Sequence, residues 1–351
     1  MKILLTGGCG FIGSAVVRRA IGVEGHQVCN IDKLTYAASQ DALEDAGNHS
    51  DYQFLKLDIC DAVAIRDVFA TVKPDAIMHL AAESHVDRSI DGPGAFVQTN
   101  VTGTFVMLEA AREYFHSLAG DQRAQFRFHH ISTDEVFGAL GDAAPAFDEH
   151  SPYDPRSPYS ASKAASDHLA RAWMHTYGLP VIVSNTTNNY GKWQFPEKLI
   201  PLTLISAIEE KPLPVYGDGT NIRDWLFVED HAEALLKVLR QGAPGQTYCI
   251  GARQPRRNID VVRTICGILD RKHPSPNGAR ERLITYVPDR PGHDRRYEID
   301  PSAAEAALGW KAEHDFEHGL SATIDWYLAH RDWWERIRAT GYAGQRLGAA
   351  A

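Results

Sequence analysis

Cysteine is scarce in this chain: five in 351 residues, at positions 9, 29, 60, 249 and 266, an odd number with no Cys-x-x-Cys spacing. That count argues against a disulfide framework and against a zinc knuckle, and it fits a reducing cytoplasm. No apolar run reaches the ~18 residues that a spanning helix requires, and the chain opens directly on Lys2-Ile3-Leu4-Leu5-Thr6, a plausible strand. Neither export nor membrane insertion is expected. Blocks of one charge sign are also missing. The net charge of −9 is spread along the sequence, so neither nucleic acid nor an anionic membrane surface is an expected partner, and any anion must be bound locally. Internal repeats and low-complexity segments are absent as well. What remains is ordinary globular composition, 44% apolar and 23% charged, enough for one large or two moderate domains that fold without metal.

Short apolar runs at 2–6, 27–31, 52–57, 75–80, 126–132 and 180–186 alternate with helical stretches. They lack strict two-residue alternation, as strands of a parallel sheet covered on both faces do, and the segments between them are long enough for crossover helices. The fold class is α/β: a Rossmann-type doubly wound parallel sheet with a smaller C-terminal substrate-binding α/β region. Prolines at 196, 201, 212 and 214 and glycines at 217 and 219 change the texture after residue 187. The expected division is a dinucleotide domain over 1–187 with a return segment, strand then helix, at about 225–245, and a second region over 188–224 and 246–351. Helical spacing is predicted over Ile259–Leu269 and again over Ser302–Leu328.

Gly7, Gly8, Gly10 and Gly13 follow the first strand and open a helix with Ile12, Val16 and Val17 on its apolar side. Glycines let a backbone approach a pyrophosphate, and the helix start, with the amides of Phe11 and Ile12, offers N–H groups and partial positive charge. Asp32 ends the second strand about 20 residues on, where an acid bonds ribose hydroxyls and repels a 2′-phosphate. This favours NAD over NADP, with Lys33 beside it pulling the other way. Asp58 and Ile59 after the third strand suit the adenine ring, although Asp58 reads equally well as a loop carboxylate or helix cap. Leu80, Ala81, Ala82 and Ser84 follow the fourth strand and can line the cofactor.

Tyr159 and Lys163 lie four apart behind Pro158, a helix-starting residue, and so share one helix face. A nearby ammonium favours phenolate, which predicts a tyrosine pKa lowered from ~10 toward working pH. Alone, such a pair could be a ring packed on a lysine stem. Thr133, Asp134 and Glu135 close an apolar run just before it. Two adjacent acids supply what a simple oxidoreductase does not need, an acid and a base to remove water. They can divide those roles if their surroundings push the two pKa values apart, and both can face one substrate only if the strand bends, because neighbours on a straight strand point to opposite faces.

Over nearly its whole length the chain resembles the extended short-chain dehydrogenase/reductase family, in its nucleotide-sugar dehydratase branch. The strings are Gly7–Gly13, Asp32–Tyr36, Ala82–Ser89, Ser132–Val136, Tyr159–Lys163, Asn188–Gly191, Phe195–Leu199 and Asp289–Asp294. The first and fifth mark the superfamily and the rest mark the branch. The resemblance implies NAD as cofactor, with Leu34, Thr35, Thr99 and Asn189 added to the residues above, and dTDP-glucose as substrate. Tyr159 takes the proton of the sugar 4-hydroxyl, Glu135 removes the carbon 5 proton, Asp134 protonates the departing 6-hydroxyl, and the product enters a deoxysugar route such as rhamnose synthesis. Substrate contacts are implied for Ser84, His85, Thr133, Asn188, Lys198, Leu199, Pro214, Tyr216, Arg223, Asn258, Asp289, Arg290, His293 and Tyr297, and no metal. Arginine forks suit a diphosphate, while Arg223 and Arg290 read singly as surface ion pairs and His293 as a structural histidine. A homodimer is implied through helices around 95–115 and 160–177. Two departures from the family pattern stand out: Phe137, where tyrosine is common, which bears on how Glu135 is held, and Asn185-Thr186-Thr187 before Asn188. Trp326, Tyr327, Trp333 and Trp334 read as core or interface aromatics. The rivals are a nucleotide-sugar epimerase or decarboxylase, a guanosine or cytidine sugar dehydratase, and a non-enzymatic NAD sensor.

Overall fold

The computed structural model describes residues 1–289, 292–340 and 342. Its strands are β1 (Lys2–Thr6), β2 (Gln27–Asp32), β3 (Tyr52–Lys56), β4 (Ala76–His79), β5 (Arg127–Thr133), β6 (Val181–Thr186), β7 (Asn188–Tyr190), β8 (Leu213–Tyr216), β9 (Ile222–Phe227), β10 (Thr247–Ile250), β11 (Pro255–Arg257) and β12 (Ile284–Val287). Seven of them form one sheet in the order β10-β6-β5-β4-β1-β2-β3, and every pairing in it is parallel. The chain runs outward from β1 to β3 and then crosses to β4 on the other side of β1. Such a reversal opens a crevice at the carboxyl ends of the strands.

Both faces of the sheet are covered, which is why its strands read as unbroken apolar runs. Ile3, Leu5 and Val28 pack against Val16 and Val17 of the Phe11–Gly22 helix and Leu235 and Leu239 of the Val228–Gln241 helix. Leu4, Ile77 and Phe128 point the other way, into Phe69, Met107, Leu108 and Ala170 of the Ala62–Val72, Thr104–Ser117 and Pro158–Tyr177 helices. Burying each such Leu, Ile or Phe is worth about 1.5–3 kcal/mol.

Two expectations about the return segment need correction. Its strand, β9, does not join the large sheet but lies between β11 and β7 in a three-stranded one. The seventh strand of the large sheet is β10, paired with β6 beyond the expected limit of residue 245. β9 carries Arg223 and Asp224 side by side, whereas β10, Thr-Tyr-Cys-Ile, has no charge and suits a covered sheet. The predicted helix over 302–328 is also two, Ser302–Leu308 and Phe316–Ala329. Gly309 breaks it with a left-handed φ of 55°, a conformation that costs glycine no Cβ clash.

Away from the large sheet, β8 and β12 pair in parallel. A separate core joins Leu204, Val215, Trp225, Val262, Ile265, Leu320 and Ile324 with Tyr327, Trp333 and Trp334, while Trp326 packs on its edge. Those C-terminal aromatics are core residues.

The Pro158–Tyr177 helix, which carries the Tyr-x-x-x-Lys pair, has a reciprocal cap. The Ser160 amide donates to Ser157 Oγ at 3.0 Å, and the Ser157 amide donates to Ser160 Oγ at 2.9 Å. Two otherwise orphaned donors are satisfied. Ser157→Ala is expected to lower unfolding free energy by about 1 kcal/mol, read from urea unfolding with an unchanged slope.

Candidate active site

The glycine loop is built for close approach. Gly7 has φ +78°, and a Cβ there would lie 2.8 Å from the Ala81 backbone; a Cβ on Gly13 would lie 2.1 Å from the Gly7 carbonyl oxygen. Gly10 begins the following helix without a side-chain cap, leaving first-turn amides for a ligand. Asp32 is 8% exposed. Its Oδ2 accepts the Cys9 amide at 2.9 Å and its Oδ1 the Leu34 amide at 2.8 Å, while burial pushes its pKa up. The Lys33 ammonium sits 2.6 Å from Asp58, so the cation that could have welcomed a 2′-phosphate is paired. Asp58 also accepts the Cys60 amide at 2.9 Å, and the cap of the next helix is Asp61 instead.

A cavity with about 1350 Å³ of empty space runs along this crevice. Gly7, Gly10, Phe11, Ile12, Gly13, Asp32, Lys33, Thr35, Asp58, Ile59, Leu80, Ala81, Ala82, Ser84, Thr99, Tyr159 and Lys163 all line it. Two expected cofactor residues do not. Leu34 gives only its amide to Asp32, and Asn189 faces a second cavity. That second cavity, of about 1370 Å³, is lined by Ser84, His85, Glu135, Asn188, Lys198, Leu199, Pro214, Tyr216, Arg223, Asn258 and His293. The two cavities share Ser84, Gln194, Glu197 and Lys198, so a ligand in one can reach a ligand in the other.

Several polar atoms of the second cavity await a partner. The side-chain oxygens of Asn188, Asn189, Gln194 and Asn258 are buried without a hydrogen bond from the protein. Such groups are costly unless something bonds them. Lys198 Nζ donates to the Ser84 carbonyl at 3.1 Å, and His293 Nδ1 lies 2.6 Å from Asp289 Oδ1. Asp289 and Tyr297 do not line the cavity. They act on its neighbours: Asp289 holds His293, and the Tyr297 ring lies 4.2 Å under the Arg223 guanidinium, which donates to the Asp294 carbonyl at 2.9 Å. Arg290 lies outside the described residues.

At the end of β5 the chain turns sharply. Thr133 closes the strand and caps a short 3₁₀ turn, Asp134–Phe137, so the two acids are not neighbours on a straight strand. The Glu135 amide donates to Thr133 Oγ1, and Thr133 Oγ1 donates to Asp134 Oδ1, both at 3.3 Å. Thr133 also acts on Tyr159, opposing the upward shift of its pKa. Asp134 is 1% exposed, and its Oδ2 has no partner. Burial, with the charge of Glu135 added, pushes its pKa up to about 8. Glu135 is only partly buried and faces the second cavity. Thr133 and Asp134 line neither cavity. Phe137 stacks on Phe147 with ring centroids 5.1 Å apart, so the position where the family commonly carries a hydroxyl is packed in apolar core.

The expected depression of the Tyr159 pKa is not what the site holds. Burial foremost, then the charges of Glu135 and Asp134, keep the phenol above its ordinary range. Lys163 Nζ, fully buried, donates instead to the Ile131 carbonyl at 2.9 Å. Gln194 and Glu197, shared by both cavities, and Trp225 and Asp87 in the second, escaped sequence reasoning. Glu197 had a signal in its string: it takes Arg88 and Tyr36, each at 2.8 Å. Asp87 likewise sits in the Ala82–Ser89 string, while Trp225 had no signal. Among the described residues no group of three or more His, Cys, Asp or Glu side chains could hold a metal.

The model of the GDP-mannose 4,6 dehydratase family matches residues 4–323. A dTDP-glucose 4,6-dehydratase of Escherichia coli is 56% identical, with 99% of each chain covered. The structure of a dTDP-glucose 4,6-dehydratase from Streptomyces venezuelae, with NAD and TYD bound, superposes with a TM-score of 0.88 at 39% identity, covering 96% of this chain and 100% of that one. One from Bacillus anthracis in complex with NAD gives 0.85 at 39%, over 96% and 99%. With a dinucleotide crevice, a second cavity meeting it and paired acids at the end of β5, one of them facing that second cavity, the chain belongs to the nucleotide-sugar 4,6-dehydratases, in the dTDP-glucose branch of the extended short-chain dehydrogenase/reductase family.

Proposed function

We propose that the chain catalyses the NAD-dependent dehydration of dTDP-glucose to dTDP-4-keto-6-deoxyglucose, by transient oxidation at sugar carbon 4, loss of water across carbons 5 and 6, and return of hydride to carbon 6. The observation that carries this reading is the pair at the end of β5. Asp134 is buried, with its pKa raised to about 8, and Glu135 faces the substrate cavity. At neutral pH that makes one acid and one base from adjacent carboxyls. An epimerase or decarboxylase has no need of the pair, and a pure sensor has no use for it.

NAD fits the first cavity, because the glycine cradle leaves no room for a Cβ and Asp32 stands at the ribose end of the fingerprint; when bound it accepts two electrons from carbon 4 and gives them back at carbon 6. Glycines 7, 10 and 13 with the Phe11 and Ile12 amides hold the pyrophosphate. Thr35, Asp58, Ile59, Leu80, Ala81, Ala82 and Thr99 form the walls. Lys163 orients the ribose and supplies positive charge near Tyr159. Tyr159 accepts the 4-hydroxyl proton, leaving a ketone that acidifies the proton on carbon 5. Glu135 takes that proton, Asp134 gives one to the 6-hydroxyl as the carbon–oxygen bond breaks, and water departs. Glu135 then returns its proton to carbon 5. Tyr159 is left with one proton more and Asp134 with one fewer, and the Thr133 hydroxyl, which donates to Asp134 and acts on the Tyr159 pKa, is the proposed path for restoring both. His85, Asn188, Lys198, Leu199, Pro214, Tyr216, Arg223, Asn258 and His293 hold the nucleotide sugar, with Arg223 and Lys198 toward the diphosphate.

We further propose a homodimer. The Thr104–Ser117 and Pro158–Tyr177 helices pack together, and Val97, Phe105 and Tyr177 nearby are 54%, 44% and 41% exposed. A cytoplasmic site accords with five unpaired thiols, and among the described residues no helix is long and apolar enough to cross a membrane.

Purified protein incubated with dTDP-glucose is expected to yield the alkali-induced ultraviolet absorption of a 4-keto sugar. No such product, with an epimer formed from UDP-glucose instead, would overturn the reading. Glu135→Gln should leave substrate affinity within a few-fold while elimination slows ~10²–10⁴-fold, measured by single-turnover quench; near-normal turnover removes Glu135 from the base role. Asp134 acts only while protonated, and its pKa is raised above the ordinary value. The elimination rate is therefore expected to be full below pH 8 and to fall as pH rises through about 8, with that limb absent from the residual rate of Asp134→Asn.

A further inference from the structure

One helical turn beyond Lys163, on the same helix, Asp167 is 0% exposed and takes no part in the chemistry described above. Four groups donate to its carboxylate. His130 Nε2 reaches Oδ1 at 3.0 Å; Ser132 Oγ and Tyr153 OH reach Oδ2 at 2.8 Å each, and Asn185 Nδ2 reaches Oδ2 at 3.3 Å. A carboxylate offers about four lone-pair sites, so this one is filled. The donors come from β5, β6 and the loop before the helix, and all four are neutral: burial keeps His130 from protonating, and the His79 ring 5.6 Å from it is held neutral the same way. Neutral donors fix the charge of Asp167 without cancelling it.

Two cations are near. Arg171, a turn further along, donates to Tyr153 OH at 2.7 Å and to Thr247 Oγ1 at 3.2 Å, so it reaches the carboxylate only through the phenol. The other is Lys163, whose buried ammonium donates to a backbone carbonyl, that of Ile131. Burial favours loss of its proton, and the charge that opposes this is that of Asp167. A buried ammonium with no counter-anion gives up its proton readily, by as much as several units.

We propose that Asp167 is a positioning residue for the redox pair, a clamped buried anion that keeps Lys163 charged beside the tyrosine that must release its proton. The proposal rests on the reading that Tyr159 and Lys163 carry the oxidation step. Asp167 also acts directly on Tyr159, and there it works in the opposite sense, favouring the protonated phenol as Glu135 and Asp134 do, but it stands behind both of them. Its influence through Lys163 and its direct influence therefore have opposite signatures in pH dependence.

The test is the pH profile of the single-turnover oxidation of dTDP-glucose by the NAD holoenzyme, compared with Asp167→Asn. Losing the anion lets Lys163 deprotonate earlier, so the alkaline limb is expected to move down by roughly one pH unit or more. Ser132→Ala and Tyr153→Phe each remove one neutral donor but keep the charge; they should lower thermal stability and leave that limb in place. A folded Asp167→Asn whose alkaline limb matches the parent, or in which only the acid limb moves, overturns the proposal. Should Asp167→Asn not fold, ¹³Cε-lysine NMR of the parent holoenzyme decides, with the Lys163 signal assigned by its loss in Lys163→Met. Lys163 still charged at pH ~8 despite full burial supports the anion's role; titration below that pH overturns it. The NMR readout needs no turnover, so failure of the dehydratase reading and failure of this one are told apart.

Discussion

The end of β5 is the point on which the site depends. At that edge of the sheet the chain must serve two cavities, one along the glycine loop and one among the β7–β9 and β8–β12 strands. It does so by leaving the extended conformation at Thr133 and tightening into a single 3₁₀ turn. The turn changes which way successive side chains point, so that Asp134 is driven into the interior and Glu135 toward the substrate cavity. Without it the two carboxyls would stand on opposite faces of a strand, whereas here the charge of Glu135 acts on Asp134.

Burial then divides the chemistry. Removing Asp134 from water penalises its charge and leaves it a proton to give, with the negative charge of Glu135 adding to the effect. The same physics works against Tyr159, whose phenol is pushed up by burial and by the two acids, and against Lys163, whose ammonium is pushed toward neutrality. The four groups proposed for catalysis are thus under opposing demands: an acid that wants low dielectric, and a tyrosine and lysine that need charge kept in it. Fixed charges placed behind the reacting groups are the available answer, and the saturated carboxylate of Asp167 is one.

The glycine cradle, Asp32, Tyr159, Lys163 and the paired acids were legible because each depends on local backbone or on spacing along one element. A glycine where a Cβ would lie 2.1 Å from a carbonyl oxygen admits no substitute, and residues four apart on a helix share a face. The substrate side was less so. Trp225 reaches the cavity because β9 pairs with β7 and sets it beside Asn188, Gln194 is tied back to the Asn189 carbonyl, and Tyr297 supports Arg223 from below, at one remove from the cavity.

The sequence by itself determined the six parallel strands that come first, the dinucleotide loop, the placing of two acids at the end of β5 and of Tyr159 and Lys163 on one helix, and the family to which the chain belongs. Tertiary structure alone decided that β10 and not β9 completes the sheet, that Lys33 is spent on Asp58, that Phe137 is packed on Phe147, and that Tyr159 sits among anions that hold its proton. The division has one cause. Backbone shape and helix spacing are written in neighbouring residues, whereas the protonation state of a buried group depends on every charge and dipole within several ångströms, contributed by segments far apart in the chain.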